Sequence, residues 1–339
     1  MTDDGRKATG ESLTVSIGPH LKDGISTKRI MWAVTFSLIQ AGAAGAFIFG
    51  MNSLLVIAVS MLAAVVTEAL ILALRRKDIG AVYDGSALLT GLLLAYNIPP
   101  GSPLWMPAAG SIFAIAIGKQ VFGGLGHNIF NPALVGRAFL MISWPVYMTT
   151  WKNPRWAPDA VTTATPLALY KHNQFDMINI SNWDLFLGNR GGCIGEVCVI
   201  ALLIGAAYLF MKKYITWHIP VTYIAVTGLL SWAFNGRSGL FTGDAIFFIL
   251  SGGLILGAFF MATDYVTSPI SPKGKMIFGA GCGVLTFVIR KFSGYPEGVS
   301  YAILIMNAAS PIIDKYSLPK WFGWVKKGNG LRVTGKGKI

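Results

Sequence analysis

The chain has 339 residues, of which 53% are hydrophobic and 13% are charged, and its formal net charge is +13 at pH 7. Ordinary soluble domains carry about 25% charged residues, so this composition excludes such a domain and indicates a membrane protein. The positive charge requires no nucleic-acid partner, because lysine and arginine near the ends of membrane helices bind anionic membrane lipid.

Apolar runs recur along the chain, and the clearest are IMWAVTFSLIQAGAAGAFIFG and SLLVIAVSMLAAVVTEALILAL. Each approaches or exceeds the roughly 20 residues that a helix needs to cross a bilayer. Because the runs do not alternate between polar and apolar residues, we predict an all-α polytopic membrane protein rather than a barrel. About ten transmembrane helices are predicted, at 30–50, 53–74, 82–98, 105–118, 130–148, 195–211, 218–234, 244–262, 276–290 and 299–313.

The distribution of basic residues predicts the orientation of these helices. Residues 1–29 hold charges and no apolar core, so we predict no cleavable signal peptide and a first helix that stays as an anchor. With the N-terminus inside, twenty of the 28 lysine and arginine residues fall on the cytoplasmic side, seven fall outside, and Arg137 lies within the fifth helix. This asymmetry follows the positive-inside rule. Both termini are therefore predicted to be cytoplasmic, with the loop 149–194 outside.

The sequence also contains a weak internal repeat. GLLLAYNIPPGSP (91–103) aligns with GAFFMATDYVTSP (257–269), and AAGSIFAIAIGKQVFGG (108–124) aligns with GAGCGVLTFVIRKFSGY (279–295). Both blocks run from an apolar helix through a Gly/Pro break into a second helix, as in transporters built from inverted repeats. A general likeness among glycine-rich membrane helices stays open as the alternative. The predicted organisation is a cytoplasmic segment at 1–29, a five-helix repeat at 30–148, an extracytoplasmic loop at 149–194, a second, inverted five-helix repeat at 195–313 and a basic cytoplasmic tail at 314–339.

Polar residues near the first Gly/Pro segments are candidates for a cofactor or ion path. Asn131 and Arg137 lie in the segment GGLGHNIFNPALVGRAF, and Lys119 precedes it. A buried arginine in a membrane is costly and usually has an anionic partner or a polar cavity. A phosphate, a cofactor or a carboxylate such as Glu68 would serve, and a purely structural ion pair between helices is the open alternative.

Motifs of soluble enzymes do not occur in the sequence. Cys193, Cys198 and Cys282 form no CxxC pair, and no histidine pair has the spacing of metal ligands, so we predict no metal site and no catalytic residue. If the protein performs redox chemistry, a cofactor must supply it.

The polar stretch DAVTTATPL at 159–167 lies in the predicted outer loop. Asp159, Thr162, Ala164 and Thr165 give the pattern D-x-x-T-x-A-T, which matches the recognition motif for covalent flavin transfer. In that reaction the phosphate of FMN is esterified to the hydroxyl of the last threonine, here Thr165. We expect this hydroxyl to be exposed in a flexible loop, because a separate transferase must bind it and supply the base and the metal.

From about residue 17 to residue 313 the chain resembles the D subunit of the Rnf complex, an ion-translocating ferredoxin:NAD+ oxidoreductase. It is also similar to the homologous B subunit of the Na+-translocating NADH:quinone reductase. The resemblance is carried by YDGSALLTGLLLAYNIPP, GKQVFGGLGHNIFNPALVGRAFL, DAVTTATPL, MATDYVTSP and NAASPIID. One departure is Thr163, where the family often has glycine, so Thr162 and Thr163 are competing hydroxyls for the flavin.

The resemblance implies a fold of two inverted five-helix repeats, like that of urea transporters, in the cytoplasmic membrane of a bacterium or archaeon. It also implies phosphothreonyl-FMN at Thr165 and a non-covalent riboflavin near the inner face. The implied partners are iron–sulfur and flavin subunits, a second subunit with covalent FMN, and a flavin transferase for maturation.

The function implied is electron transfer within a complex that moves Na+ or H+ outward, in which this subunit is not catalytic alone. Alternatives are a solute channel or transporter of the same fold without redox activity, a scaffold without a cofactor, and the B subunit of the quinone reductase. Thr165 discriminates among the classes, because a permease has no use for a flavin-transfer motif in an outer loop.

Overall fold

A computed structural model describes residues 26–156, 165–171, 181–236, 239–294 and 297–318. Every regular element in these ranges is a helix, and none of them contains a β-strand. The predicted all-helical class is therefore confirmed for the described part of the chain.

The N-terminal part begins with two long helices and continues with shorter ones. In chain order they are α1 (Thr27–Phe49), α2 (Met51–Leu74), a 3-10 helix (Ile79–Asp84), α3 (Ser86–Tyr96), α4 (Trp105–Ile115), a π-helical turn that continues α4 (Ala116–Gln120), α5 (Pro132–Ser143) and α6 (Pro145–Met148).

The C-terminal part begins with two short helices outside the main bundle. The elements are α7 (Pro166–Lys171), α8 (Asn182–Leu187), α9 (Val199–Met211), α10 (His218–Phe234), α11 (Ala245–Leu250), α12 (Leu254–Leu256), a π-helical turn that continues α12 (Gly257–Met261), α13 (Pro272–Phe292) and α14 (Val299–Ser317).

Local sequence explains where several helices begin and end. Gly50 separates α1 from α2 at a φ of +90°, a conformation that costs glycine little. Helix α3 stops at Asn97, just before Pro99 and Pro100, because proline disfavours a helical conformation in the residue that precedes it. Helix α5 starts with a proline, and the Asn131 side chain accepts a hydrogen bond from the Ala133 N–H at 3.1 Å.

The predicted spans agree with the structure to different degrees. Among the described helices, α1 and α2 are long and apolar enough to cross a membrane by themselves. Helices α3, α5 and α9 are apolar but shorter than the spans predicted for them, whereas α10 has the bounds predicted for the seventh span, 218–234. The predicted continuous helix over 244–262 is wrong: α11 ends at Leu250 and α12 begins at Leu254, because Gly252 adopts a φ of +68° between them.

The helices pack in two groups that share one core. Helix α2 packs on α3 and α4, and α4 packs on α5, while α10 packs on α11 and α13, and α13 packs on α14. The groups meet where α1 contacts α9 and where α5 contacts α14. Buried side chains from both groups form one hydrophobic cluster.

Small residues permit the close approach of α1 and α9. A Cβ atom at Gly205 would overlap the carbonyl oxygen of Ser37, and Gln40 Nε2 donates hydrogen bonds to the carbonyls of Ser37 at 3.0 Å and Ala201 at 3.1 Å. Glycine at such contacts lets helix backbones pack directly against each other in membranes.

We predict that Gly205→Ala separates these two helices and lowers the free energy of unfolding by about 1–3 kcal/mol, the usual cost of overpacking. The measurement is thermal unfolding of the purified protein in detergent. Gly294→Ala is the matched control, because the structure shows no atom within 4 Å of the Cβ position there. Equal unfolding midpoints for the two variants would contradict this packing.

Candidate functional site

Thr165 lies immediately before α7 and its side chain is 5% exposed. The hydroxyl oxygen accepts a hydrogen bond from the Ala168 N–H at 3.2 Å, and the main-chain carbonyl accepts one from the Leu169 N–H at 3.0 Å. The expectation of an exposed hydroxyl is therefore wrong for this structure, because the side chain caps a short helix instead of standing in solvent. Asp159, Thr162, Ala164 and the competing Thr163 lie outside the described residues.

Helix α7 packs against one end of the bundle. Leu167 is buried with Leu185, Phe247 and Phe248, so the residues that follow Thr165 are held on α8 and α11. This contact fixes where the candidate flavin threonine meets the rest of the protein.

A pocket of about 330 Å³ lies along the same helix. It is lined by Lys171, Arg290, Lys291, Phe248 and other residues of the α7, α10 and α13 ends. The Arg290 guanidinium donates to the carbonyls of Phe248 at 2.7 Å and Ser251 at 3.0 Å. The Lys291 ammonium donates to the Phe234 carbonyl at 2.7 Å and lies 5.7 Å from the centre of that ring. The pocket combines fixed positive charge with aromatic walls.

Arg137 is buried and has an anionic partner. Its guanidinium forms an ion pair with Glu297 and donates a hydrogen bond to Asn97 Oδ1 at 2.5 Å. The candidate partner Glu68 is not used, since Glu68 pairs with Lys119 instead. Arg137 thus joins α5 to the end of α3 and to the segment before α14.

Asn131 belongs to the same central region. Its side-chain amide donates to the Met261 carbonyl at 3.2 Å, and the amide of Asn97 lies 3.7 Å from the Met261 sulfur. The end of α3, the start of α5 and the π-helical turn after α12 therefore meet at one point.

Lys119 lies in a second polar cluster. Its ammonium donates to Glu68 Oε1 at 2.6 Å and to the Ser86 hydroxyl at 2.5 Å, and the Gln120 amide donates to the same Glu68 oxygen at 2.9 Å. All of these side chains except Ser86 extend from α2 and from the π-helical turn after α4.

Lys119 and Asn131 line a cavity, and Arg137 does not. The walls are mostly apolar and aromatic and include Phe259 and Phe260. Asp264 is also in the lining, and burial raises the pKa of its carboxyl, while the hydrogen bonds from Val266 and Thr267 lower it. The structure therefore brings two of the three predicted path residues to one cavity.

This cavity and Thr165 lie at opposite ends of the bundle, and under the predicted orientation it is the inner cavity. The cavity includes Ile215 near the start of α10, whereas the pocket along α7 includes Phe234 at the end of that helix. A helix of this length spans about 25 Å at 1.5 Å per residue.

Sequence reasoning missed Asn97 and Glu297 as partners of Arg137. A usable signal was present: the chain has only 15 acidic residues, and Glu297 lies within the Gly/Pro break SGYPEG between two apolar runs. Its position 160 residues from Arg137 hides the contact from any local pattern.

Comparison with known proteins identifies the family. The model of the NQR2, RnfD, RnfE family matches residues 14–323. The chain belongs to this family. The D subunit of the proton-translocating ferredoxin:NAD(+) oxidoreductase complex of Clostridium ljungdahlii is 50% identical over 318 residues, which cover 91% of this chain and 96% of that protein.

Two further relatives are similar over most of their length. The D subunit of the Na(+)-translocating ferredoxin:NAD(+) oxidoreductase complex of Acetobacterium woodii is 46% identical over 320 residues, which cover 93% of this chain and 96% of that protein. The D subunit of the ion-translocating oxidoreductase complex of Citrobacter koseri is 37% identical over 347 residues, which cover 91% and 98% of the two chains. These relatives confirm the resemblance to the Rnf D subunit and the status of a subunit of an oxidoreductase complex.

We predict that Arg137→Leu lowers the free energy of unfolding by about 3–5 kcal/mol, because it leaves the Glu297 charge buried without its partner. The double variant Arg137→Leu/Glu297→Leu removes both charges and should recover a large part of this loss. Thermal unfolding of the two single variants and the double variant measures the coupling. If the loss of unfolding free energy in the double variant equals the sum of the losses in the two single variants, the two side chains do not form an ion pair.

Proposed function

We propose that this chain is the membrane electron-transfer subunit of an ion-translocating ferredoxin:NAD+ oxidoreductase and carries FMN as a phosphoester on Thr165. The observation that carries the proposal is the position of Thr165 as the last residue of the D-x-x-T-x-A-T pattern. Family membership and the names of the relatives support the complex, and the motif supports the cofactor.

The residues around Thr165 fit such a group after a small rearrangement. The hydroxyl is held by one hydrogen bond at the start of a six-residue helix, and loss of such a capping contact costs about 1 kcal/mol. The transferase can therefore release the hydroxyl by opening the first turn of α7. Leu167 then keeps the modified residue beside the outer end of the bundle.

The pocket along α7 supplies a place for an anionic aromatic ligand. Arg290 and Lys291 would hold negative charge, and Phe248 would lie against an apolar ring face. FMN, when bound, supplies the capacity to take one or two electrons, which the side chains of the protein lack. Because the ester is formed through the phosphate, the flavin ring takes no part in the bond. The covalent bond also prevents loss of the cofactor to the exterior.

The inner cavity is the proposed place of a non-covalent riboflavin. Its apolar walls would cover a neutral ring, and Lys119, Asn128 and Asn131 provide a few polar groups for orientation. Two carriers at opposite ends of the bundle would suit a protein that passes electrons across the membrane. The polar residues Lys119, Asn131 and Arg137 remain the proposed lining of an ion or cofactor path.

We further propose that α1–α5 and α9–α14 are two inverted five-helix repeats like those of urea transporters. The Gly/Pro break between α3 and α4 corresponds to the break between the π-helical turn after α12 and α13. The packing of α2 on α3 and α4 likewise corresponds to the packing of α10 on α11 and α13. These matches support the repeat that the sequence alignment suggested.

The proposed location is the cytoplasmic membrane of a bacterium or archaeon, with both termini inside. Large apolar side chains on α1 and α2, such as Phe47 and Leu74, are exposed and would face lipid. The proposed partners are iron–sulfur and flavin subunits, a second subunit with covalent FMN, and the flavin transferase.

We predict that the protein, expressed with a flavin transferase and denatured in SDS, fluoresces under ultraviolet light, because an ester-linked flavin survives denaturation. Thr165→Ala should abolish this fluorescence by removing the acceptor oxygen. Thr163→Ala is the matched control and should retain it, whereas Asp159→Ala should weaken it by impairing recognition. Fluorescence that persists in Thr165→Ala would place the flavin on another residue, and a wild type without covalent flavin would favour a transporter.

We also predict that a cysteine placed at Trp183, in the proposed outer loop, reacts with an impermeant reagent added to intact cells. Trp183 is exposed, so its accessibility depends on the side of the membrane and not on burial. A cysteine at Lys327 in the tail should react only after the membrane is opened. The reverse labelling pattern would overturn the proposed orientation.

A further inference from the structure

A cluster of buried charged and polar side chains surrounds the break between α11 and α12. Its members come from the segment before α9, from the break itself, from the end of α13 and from the segment before α14. They are Arg190, Cys193, Glu196, Ser251, Arg290 and Glu297.

Several polar atoms in this cluster have no hydrogen-bond partner among the described residues. They are Arg190 Nε, Glu196 Oε2, Ser251 Oγ, Arg290 Nε and Glu297 Oε1. Buried polar groups are normally paired, so the concentration of unpaired ones at a single place calls for a physical explanation. Two of these unpaired atoms are oxygens of two different carboxylates. Two such oxygens can form a hydrogen bond with each other when one of them carries a proton.

The two carboxylates have different partners. Glu297 forms the ion pair with Arg137, which favours its charged form. Glu196 Oε1 accepts a hydrogen bond from the Cys193 N–H at 3.1 Å. The Glu196 carboxylate forms no ion pair within the described part of the chain.

The neighbouring guanidinium groups bind main-chain oxygens. Arg190 donates to the Glu196 carbonyl at 3.3 Å, and Arg290 donates to two carbonyls at the end of α11. The cations thus stabilise the turns around the cluster, and the Glu196 side chain receives no direct hydrogen bond from either of them.

The carboxylates are also close together. One oxygen of Glu196, one oxygen of Glu297 and the Cys193 sulfur all lie within 4.8 Å of one another. Two buried carboxylates at this separation do not both ionise readily, because each negative charge opposes the other. Since Glu297 forms an ion pair with Arg137 and Glu196 forms none among the described residues, Glu196 is the group that takes the proton.

We propose that Glu196 and Glu297 form a proton-binding carboxyl pair, in which Glu196 carries the proton and shares it with Glu297 directly or through one water. The charged groups that face the pair are Arg190 on its own segment, Arg137 on α5 and Arg290 on α13, and the titratable thiol of Cys193 lies beside it. The break between α11 and α12 contributes Ser251 and no ionisable side chain.

A metal ion fits the same atoms less well. Burial, with the negative charges of Glu196 and Glu297, raises the pKa of the Cys193 thiol well above its ordinary value, although Arg137 lowers it. The thiol therefore stays protonated and is a weak ligand. Arg137 already binds Glu297, and two further guanidinium groups oppose a divalent cation.

The pair lies near Leu167 of α7, the helix that follows the proposed flavin threonine. A Cβ atom at Gly252 would lie 3.9 Å from the Leu167 side chain, 3.2 Å from Arg290 and 4.0 Å from Glu297. If the proposed function holds, an electron that arrives at this end of the bundle adds one negative charge near the pair. The added charge would strengthen proton binding at Glu196, so that Glu196 carboxylates still ionised take up one proton from water and release it on reoxidation, with no bond formed to the flavin.

The test of the pair is infrared difference spectroscopy of the purified full-length protein during a pH titration, in H2O and in D2O. We expect the C=O stretching band of a buried carboxylic acid, which shifts in D2O and is lost in Glu196→Gln. This variant keeps the side-chain shape and the acceptor for Cys193, and thermal unfolding confirms that it is folded. Glu68→Gln is the matched control and should retain the band, because Glu68 forms an ion pair with Lys119 and belongs to a separate cluster.

Two results would overturn the proposal: a band that persists in folded Glu196→Gln, or no carboxylic acid band in the wild type at any pH. A second measurement tests the link to the flavin. The pH dependence of the flavin midpoint potential should be weaker in Glu196→Gln than in the wild type, and an unchanged dependence would contradict the link. A preparation without covalent flavin would refute the proposed function, while the infrared result would still decide the carboxyl pair.

Discussion

The buried ion pair between Arg137 and Glu297 is the contact on which the central packing depends. It joins α5 to the segment before α14, and the same guanidinium binds Asn97 at the end of α3. Each charge would be costly in this environment without the other, so the two helix groups must keep these elements in register. The segment before α9 places Glu196 near Glu297. Arg290, at the end of α13, is held there by carbonyls at the break between α11 and α12.

Broken helices place the polar groups of this protein inside an apolar bundle. Helix α3 stops before two prolines, and Gly252 interrupts the run between α11 and α12, so main-chain carbonyls become available to Arg290 inside the protein. At the other end, Lys119 and Glu68 form a separate pair beside the inner cavity. Unpaired backbone and charged groups are tolerated at membrane depth only where protein or a polar cavity surrounds them. The helix breaks and buried ion pairs that stabilise the bundle therefore also define its two candidate sites.

The class of the fold and the need of Arg137 for an anionic partner were predictable from sequence, because both depend on local composition. The identity of that partner was not predictable, because Glu297 is distant along the chain and Glu68 was an equally reasonable candidate. The interruption at Gly252 was hidden because Ser251, Gly252 and Gly253 carry no charge and interrupt the apolar run only weakly. The burial of Thr165 was missed because it arises from the capping of α7 and from the packing of Leu167 on residues of other helices. Of the proposed path residues, Lys119 and Asn131 share a cavity that no spacing in the sequence indicated.

The central claim is that one threonine of this protein carries the redox group. Trypsin cleaves after Arg155 and Lys171, so the motif is released as the peptide 156–171, which also holds the two competing threonines. Mass spectrometry of this peptide, from protein made with a flavin transferase, measures the claim directly. The account predicts an added mass of one FMN less one water, with fragment ions that place it on Thr165. An unmodified peptide, or the same added mass on Thr162 or Thr163, would contradict it.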